Sequence, residues 1–191
     1  VALATQSQLF KQMGDTTEKT TSLSNSLIRV TFSNKGGRVK DVELKNYRGT
    51  DSSWVKMGAT TFDKLGYQIN AVAASNQGTA STADLIFSKI DSATLANGNQ
   101  SISFTLALDS GNTYITHEYV IKKDDYMIDF TVKMGGAEKI LSGGTMNMLW
   151  QYAAAQQEGS LSYERENTQI GYVKDGSFDY HSMFKRSSKE F

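Results

Sequence analysis

Residues 101–134 read SISFTLALDSGNTYITHEYVIKKDDYMIDFTVKM, and this stretch decides the fold class. Apolar residues recur at every second position in runs that are separated by short polar turns. Because successive side chains of a β-strand point to opposite faces, this period predicts three strands in an antiparallel meander, each with one buried face. The residues that we expect to face one core are Ile102, Phe104, Leu106, Leu108, Ile128, Phe130 and Val132.

The same period continues on both sides of the meander. Upstream, Ile28, Val30 and Phe32 alternate with polar neighbours, and the turn residues 34–37 (NKGG) lead into Val39, Val42 and Leu44, which predicts a β-hairpin. Downstream, Met146, Met148, Trp150 and Tyr152 predict another clear strand. Weaker strand patterns occur over 66–72, 85–90, 161–164 and 170–173, with a turn at Asp175-Gly176 before Phe178 and Tyr180. We expect about ten strands in all, and a loop over residues 49–61.

These patterns predict an all-β antiparallel sandwich with short helical pieces near its termini. No βαβ pattern, internal repeat or linker divides the chain. Residues 1–22 are predicted to be a lead-in, in which the spacing of Leu9 and Met13 is compatible with a short helix ending at Gly14. Residues 23–191 are predicted to be one domain.

Composition excludes several classes of function. Lys plus Arg and Asp plus Glu number 20 each, so the formal charge is zero and the electrostatic footprint of a nucleic-acid-binding protein is missing. The chain has no cysteine, which removes thiolate chemistry and cysteine-based zinc sites. No apolar run approaches the roughly 20 residues that span a bilayer, and no signal segment begins the chain.

Candidate catalytic residues are few and unpatterned. His117 and Glu118 are neighbours in one predicted strand, so their side chains point to opposite faces of the sheet. His181 stands alone, and Glu164, Arg165 and Glu166 look like surface pairs on a strand. Trp54 and Trp150 could stack on sugars, but aromatic residues in strands are more often core or cross-strand pairs. We therefore assign no catalytic, cofactor-binding or metal-binding residue.

Two segments carry a family resemblance. The strand-turn-strand segment 23–47, which includes Gly36, Gly37, Leu44 and Tyr47, resembles the opening of the large periplasmic domain of the YidC membrane protein insertase family. The segment 119–130, with Asp125-Tyr126 in its turn, is similar to paired strands of that domain. Aromatic residues from Trp150 onward also fit, so the resemblance covers roughly residues 20–191. The residues that match as signatures, with structural roles expected, are Gly36, Gly37, Leu44, Tyr47, Asp125, Tyr126 and Trp150.

The resemblance implies a β-supersandwich akin to galactose mutarotase and to carbohydrate-binding domains. It places the segment in the periplasm, between two transmembrane helices of an inner-membrane insertase of a Gram-negative bacterium. It further implies an accessory, non-enzymatic role as a scaffold or docking surface, with Sec translocon subunits and membrane-protein clients as partners of the parent protein and with no cofactor. The alternative from another class is a carbohydrate-binding or carbohydrate-active sandwich, which would need a histidine and a carboxylate converging in a cleft.

Overall fold

The computed structural model describes residues 17–58, 60–70, 79–108 and 112–182, and within them every strand pair is antiparallel. The short helix considered for residues 1–14 lies outside this part of the chain. The strands are β1 (Thr20–Ser24), β2 (Ile28–Ser33), β3 (Arg38–Arg48), β4 (Trp54–Gly58), β5 (Lys64–Asn70), β6 (Thr79–Ser81), β7 (Lys89–Thr94), β8 (Gln100–Ala107), β9 (Tyr114–Ile121), β10 (Ile128–Gly135), β11 (Met148–Gln151), β12 (Gln169–Lys174) and β13 (Ser177–Ser182). The helices are the 3₁₀ helices η1 (Thr82–Asp84) and η2 (Ser142–Gly144) and the α-helices α1 (Ala137–Ile140) and α2 (Leu161–Asn167).

Two four-stranded sheets form the sandwich. One has the order β1-β2-β3-β4 and the other the order β10-β9-β8-β7. Their inner faces meet through aromatic rings: the ring of Phe32 on β2 lies 5.1 Å from that of Tyr119 on β9 and 6.0 Å from that of Phe104 on β8. This contact confirms the all-β sandwich that the alternating pattern predicts.

The meander has the predicted register. β8 pairs with β9 and β9 with β10 without interruption. Ile102, Phe104 and Leu106 are fully buried, whereas the intervening Ser103 and Thr105 face outward and are half-buried. The residues of the predicted set that are partly buried and pack against this core are Leu108, Ile128, Phe130 and Val132.

The first hairpin contains a β-bulge. Thr31 pairs with Asp41, but the next residue, Phe32, pairs with Val39, so Lys40 is the extra residue on β3. The bulge explains why Val39 and Val42 are three positions apart rather than two, although both pack against the core. The predicted hairpin is confirmed, and the three-residue spacing of Val39 and Val42 in the sequence reflects the bulge.

Two smaller sheets complete the described part of the chain. One has the order β11-β5-β6, and the other is the hairpin β12–β13. Tyr67 and Ile69 of β5 join the buried core together with Leu85, Phe87 and, from α1, Ile140. Through this strand the third sheet is tied to the sandwich, with β11 along its edge.

Several predictions are wrong in detail, among them the strand over residues 85–90, of which only Lys89 and Ile90 lie in β7. Residues 49–61 are not wholly loop, because β4 pairs with the long strand β3. Residues 161–164 and the Glu164–Glu166 segment are not strand: they lie in α2, where the side chain of Ser160 accepts a hydrogen bond from the N–H of Tyr163 at 3.3 Å and caps the helix. The described residues contain thirteen strands rather than about ten, since short edge strands such as β1 and β6 lack a strong alternating pattern.

Candidate functional site

A polar cluster lies at the centre of the core. His117 on β9 is only 1% exposed, and its Nε2 lies 2.9 Å from the Oη of Tyr67 on β5. Its Nδ1 lies 2.9 Å from the carbonyl oxygen of Gly37, which also accepts a hydrogen bond of 2.9 Å from the Oη of Tyr119. Phe87 packs against the imidazole, with ring centroids 4.6 Å apart. The cluster joins the two main sheets and the third sheet at one point.

The hydrogen bonds define the tautomer of His117. A carbonyl oxygen only accepts, so Nδ1 carries the proton and Nε2 accepts from the hydroxyl of Tyr67. Burial lowers the pKa of His117, because a charged imidazolium would lose its hydration, and the hydrogen bonds to backbone carbonyls oppose this only partly. Burial likewise raises the pKa values of Tyr67 and Tyr119. All three groups are therefore neutral at physiological pH.

This cluster is built to hold the fold rather than to meet a substrate. Both ring nitrogens of His117 are engaged by protein groups, and the side chains around it are buried. General acid–base catalysis needs a group within hydrogen-bond reach of a reacting atom. Glu118, its neighbour in sequence, lies on the opposite face of β9 and pairs with Lys133. No carboxylate of the described residues joins the histidine.

Gly36 and Gly37 position the carbonyl that the cluster uses. Both have positive φ, +77° and +53° respectively. The N–H of Gly36 donates to the carbonyl of Leu85 at 2.7 Å, which fastens the β2–β3 turn to the segment between η1 and β7. A Cβ at Gly37 would lie 3.1 Å from the Cβ of Phe104 and from Nδ1 of His117. Only glycine fits at this position without displacing the core.

Three further signature residues, Tyr47, Asp125 and Tyr126, lie together at one end of the sandwich. The rings of Tyr47, on β3, and Tyr126, in the β9–β10 turn, are 6.4 Å apart and thus touch across the two sheets. Asp125 shapes that turn, since its Oδ1 accepts from the N–H of Met127 at 3.0 Å. Both tyrosines remain substantially exposed.

Asn25 reinforces this end of the sandwich. Its Nδ2 donates to the carbonyls of Lys122 and Asp125, each at 2.7 Å, while its Oδ1 accepts from the N–H groups of Leu27 and Ile28, each at 2.8 Å. One side chain thereby closes the β1–β2 turn and joins it to the β9–β10 turn. We call this arrangement the Asn25 clasp. Its sequence signal is weak: Asn25 lies between β1 and β2, where asparagine favours a turn, but nothing in the spacing pointed to the distant partners.

Leu44 and Trp150 occupy two other environments. Leu44 is half-buried on β3 and packs against the core. Trp150 lies in a strand and pairs with Leu65 across β11 and β5, as expected of a cross-strand residue, but it is not a core residue, because it is 80% exposed. Its strand β11 lies on the edge of a sheet, where the apolar alternation continues beyond the part of the core that can cover it. Trp54 is half-buried, with the guanidinium of Arg48 stacked 3.2 Å from its ring centroid.

The exposed surface of β11 is the strongest candidate for a binding site. Met148, Leu149 and Trp150 are 40%, 56% and 80% exposed. The strand is nevertheless held firmly: it pairs with β5 along its whole length, and the amide of Gln151 donates to the carbonyl of Phe62 at 2.7 Å. Ordered apolar side chains that remain in water are typical of protein-binding surfaces.

Asp63 anchors the segment that follows β11. This carboxylate is only 7% exposed, and it accepts from the N–H of Ala153 at 2.7 Å and from the N–H of Thr60 at 2.8 Å. Burial alone would raise its pKa, but these hydrogen bonds outweigh burial and the pKa is lowered. The ionised carboxylate thus fixes the exit of β11 to the start of β5. Nothing in the spacing of the sequence pointed to Asp63.

The hairpin β12–β13 exposes a second apolar face. Val173 and Phe178 pair across the two strands and are 70% and 72% exposed, and Tyr180 beside them is 50% exposed. The ring of Phe178 covers Gly171, where a Cβ would lie 3.1 Å from the nearest ring atom. A two-stranded hairpin is marginally stable in water by itself.

The described residues contain no group of three or more His, Cys, Asp or Glu side chains that could hold a metal ion. Among the helices of the same residues, none has the length and apolar character needed to cross a membrane.

Comparison with known proteins shows which family this chain resembles. A family model described as the YidC periplasmic domain matches residues 20–190. A membrane protein insertase YidC from Phocaeicola vulgatus is 28% identical over 177 residues, which cover 91% of this chain and 27% of the relative. One from Bacteroides fragilis is 30% identical over 161 residues, or 83% of this chain and 24% of the relative. No solved structure gave a significant match.

The fold and the buried polar cluster define an all-β sandwich domain whose central histidine is buried and hydrogen-bonded on both ring nitrogens. Because the family match extends over almost the whole chain, the protein belongs to the family of YidC periplasmic domains. The chain spans about a quarter of the length of the curated relatives that it matches.

Proposed function

We propose that this chain is an accessory docking domain of a membrane protein insertase, located in the periplasm as part of an inner-membrane protein of a Gram-negative bacterium. The names of the relatives support this parent protein. In this proposal other parts of the parent insert the clients, because a client helix must be sheltered by a membrane-embedded path. The domain binds periplasmic segments of a partner, for which subunits of the Sec translocon are the candidates.

The observation that carries the proposal is the exposed, ordered strand β11. Trp150 extends 80% of its surface into solvent from a strand that is tied down by β5 and, just beyond it, by Asp63. Large exposed aromatic side chains on a rigid support bind partners at low entropic cost. No charged residue occurs between Lys139 and Glu158, so β11 and the segments that flank it carry no charge of their own.

The domain acts without enzymatic chemistry and without a cofactor in this proposal. His117 is 1% exposed and its ring nitrogens are engaged by Tyr67 and Gly37, which leaves it unable to reach a sugar. We expect the purified domain to give no acceleration of galactose mutarotation over buffer. Acceleration that is abolished by His117→Ala or His181→Ala, in variants that remain folded, would contradict the proposal and favour the carbohydrate-active alternative.

The signature residues have structural roles in this proposal. Gly36 and Gly37 shape the turn that supplies the carbonyl for His117, Leu44 packs on the core, and Asp125 with its neighbour Tyr126 holds one end of the sandwich. Trp150 differs from them because it is exposed, and we assign it to docking rather than to folding.

The test uses the full-length parent protein. Deleting residues 26–173, while keeping the flanking spans and the C-terminal stretch near Phe184, is expected to leave insertion of simple clients largely intact and to weaken co-purification of the Sec translocon. Loss of insertion of every client, with the truncated parent still folded and correctly placed, would show that the domain is essential to insertion and would overturn the accessory role.

A point variant makes the test specific to β11. Trp150→Ala in the parent is expected to weaken the association, because it removes the largest exposed aromatic surface of the strand. Met127→Ala is the matched control, since Met127 is 65% exposed but lies in the β9–β10 turn. Equal association of wild type and Trp150→Ala would exclude β11 as the docking surface.

A further inference from the structure

We propose that the outer edge of β11 binds an extended, uncharged polypeptide segment of a partner protein as an added β-strand. This inference rests on the proposed docking function and specifies how the partner is held: by main-chain hydrogen bonds to β11, with apolar contacts on both faces. The geometry of the backbone, rather than the exposure of the side chains alone, leads to it.

The register of the third sheet shows which backbone groups of β11 point outward. The N–H of Tyr67 on β5 donates to Oγ1 of Thr82, which directly follows β6, at 3.0 Å. Tyr67 therefore directs its main-chain groups toward β6, and its neighbour Gly66 directs them toward β11 on the other side. Gly66 is paired with Leu149, so Leu149 bonds to β5 and the flanking Met148 and Trp150 point their N–H and C=O groups away from the sheet.

A second contact supports the same assignment. The N–H of Ala153 donates to Oδ1 of Asp63, which immediately precedes β5. Since alternate residues of a strand point the same way, Gln151 and Leu149 also direct their N–H groups to the β5 side. In this register no hydrogen bond within the described residues uses the main-chain N–H or C=O groups of Met148 or Trp150, which leaves two donors and two acceptors in a row along the edge.

The side chains match an uncharged strand. Met148 and Trp150 lie on the face that carries Tyr67, and Leu149 lies on the face that carries Gly66, so an added strand would meet apolar surface on both sides. Natural edge strands usually carry a lysine, a proline or an inward-pointing charge that discourages pairing, and β11 has none of these. The residues between Lys139 and Glu158 offer no charge to a charged partner segment, and the one charged residue that pairs with β11 is Lys64, opposite its last residue, Gln151.

The free backbone groups favour a polypeptide over a lipid surface as the occupant. Hydrocarbon cannot satisfy N–H and C=O groups, and burying an open strand edge in it is costly. A polypeptide strand satisfies each of them and takes its specificity from alternate side chains, as in other cases of strand addition.

The first measurement is amide hydrogen exchange on the purified chain, resolved to single residues. In the free protein the N–H groups of Met148 and Trp150 are expected to exchange faster than those of Leu149 and Gln151, which β5 protects. An acetylated and amidated peptide of alternating valine and threonine is the probe, and its addition is expected to slow Met148 and Trp150 selectively. The proposal would be overturned if the peptide left the fast exchange of Met148 and Trp150 unchanged. It would also be overturned if these two N–H groups were already protected in the free monomer, because another part of this chain would then cover the edge.

The second measurement separates main-chain bonding from side-chain contact. Met148→Ala removes the side chain but keeps the outward N–H, whereas Met148→Pro also removes that N–H without breaking the ladder to β5. Peptide affinity, measured by fluorescence anisotropy, is expected to fall about fivefold further in the proline variant than in the alanine variant, as for the loss of one hydrogen bond. Thermal unfolding checks that both variants are folded.

The remaining outcomes identify other occupants. Equal peptide affinities of Met148→Pro and Met148→Ala would show that the peptide is held by apolar side-chain contacts and not by a hydrogen bond to this N–H. Binding to phosphatidylglycerol vesicles without peptide binding would identify a lipid surface as the occupant. A dimer in sedimentation that Met148→Pro dissociates would identify a second copy of the chain. Each result contradicts the proposal, yet each leaves the docking function open, because that function is tested separately by Trp150→Ala in the parent protein.

Discussion

Gly37 is the residue whose identity matters most to the core. Its carbonyl accepts from both His117 and Tyr119, and a Cβ added to it would lie 3.1 Å from Cβ of Phe104 and 3.2 Å from Cδ1 of Phe87. A glycine here satisfies two requirements at once, a positive φ and the absence of a Cβ. Few positions in a chain carry both constraints, and this one lies where two sheets and a turn meet.

Gly37→Ala is expected to destabilise the domain by about 2–4 kcal/mol, because left-handed backbone costs an alanine about 1 kcal/mol and overpacking a core costs about 1–3 kcal/mol. Gly143→Ala is the matched control: its φ is +63°, but a Cβ there would meet nothing within 4 Å. We expect about 1 kcal/mol for the control. Urea unfolding measures both, and equal losses would show that the crowding at Gly37 is relieved at no cost.

At the scale of elements, the Asn25 clasp joins two turns that are about 100 residues apart in sequence, from different sheets. Sheets that pack only through apolar side chains can slide, whereas hydrogen bonds between their turns define one alignment. Ser26 adds a bond of 2.9 Å to Oδ1 of Asp124, and Lys45 contacts Oγ of Ser24 at 2.7 Å and the carbonyl of Asn25. The turns at this end are therefore a structural unit.

Asn25→Ala is expected to cost about 2–6 kcal/mol, since each of four partly buried hydrogen bonds contributes about 0.5–1.5 kcal/mol. Asn97→Ala is the control, because Asn97 closes only its own turn through the N–H of Asn99 at 3.0 Å. Denaturant unfolding gives the difference between the variants. If Asn25→Ala lost no more stability than Asn97→Ala, the clasp would not contribute to the alignment of the sheets.

At the scale of the whole molecule, the neutral histidine couples folding to pH. The folded-state pKa of His117 is lowered from the usual value of 6.5, so the unfolded chain binds a proton that the folded domain rejects. The stability associated with this residue is complete above pH 6.5 and is lost as pH falls from there toward the lowered pKa. Asp63, whose pKa is lowered from 3.8, contributes only in a more acidic range.

The free energy of unfolding, measured with urea, is therefore expected to fall as the pH is lowered from about 7.5 to about 5. Its slope against pH is expected to approach the value for uptake of one proton on unfolding. His117→Gln is expected to flatten this slope, whatever it does to stability at neutral pH. His181→Gln, which removes the half-buried histidine of β13, is expected to retain it. If the stability of His117→Gln depended on pH as steeply as that of the wild type, the pH dependence would belong to other groups.

Strand periodicity was enough to predict the meander, the first hairpin and the apolar face of β8, because those strands alternate cleanly between core and solvent. It failed where the alternating pattern of a segment does not match the burial of its residues in the structure. β4 has a weak pattern and is a strand only because β3 offers an edge, and α2 follows from the Ser160 cap rather than from periodicity. Trp150 has the pattern of a core residue but lies beyond the reach of the core.

The sequence by itself determined the fold class and the buried sets of the central strands, since these depend on local alternation and turn residues. The family entered as a resemblance of particular segments, and the family match shows it. Only the tertiary structure decided that His117, Tyr67 and Gly37 form one cluster, that Asn25 joins two sheets and that β11 lies at the edge of its sheet among the described strands. These features depend on which distant segments meet. Contacts between residues separated by 50 to 100 positions leave no period in the sequence, because the two partners are brought together by packing rather than by their spacing along the chain.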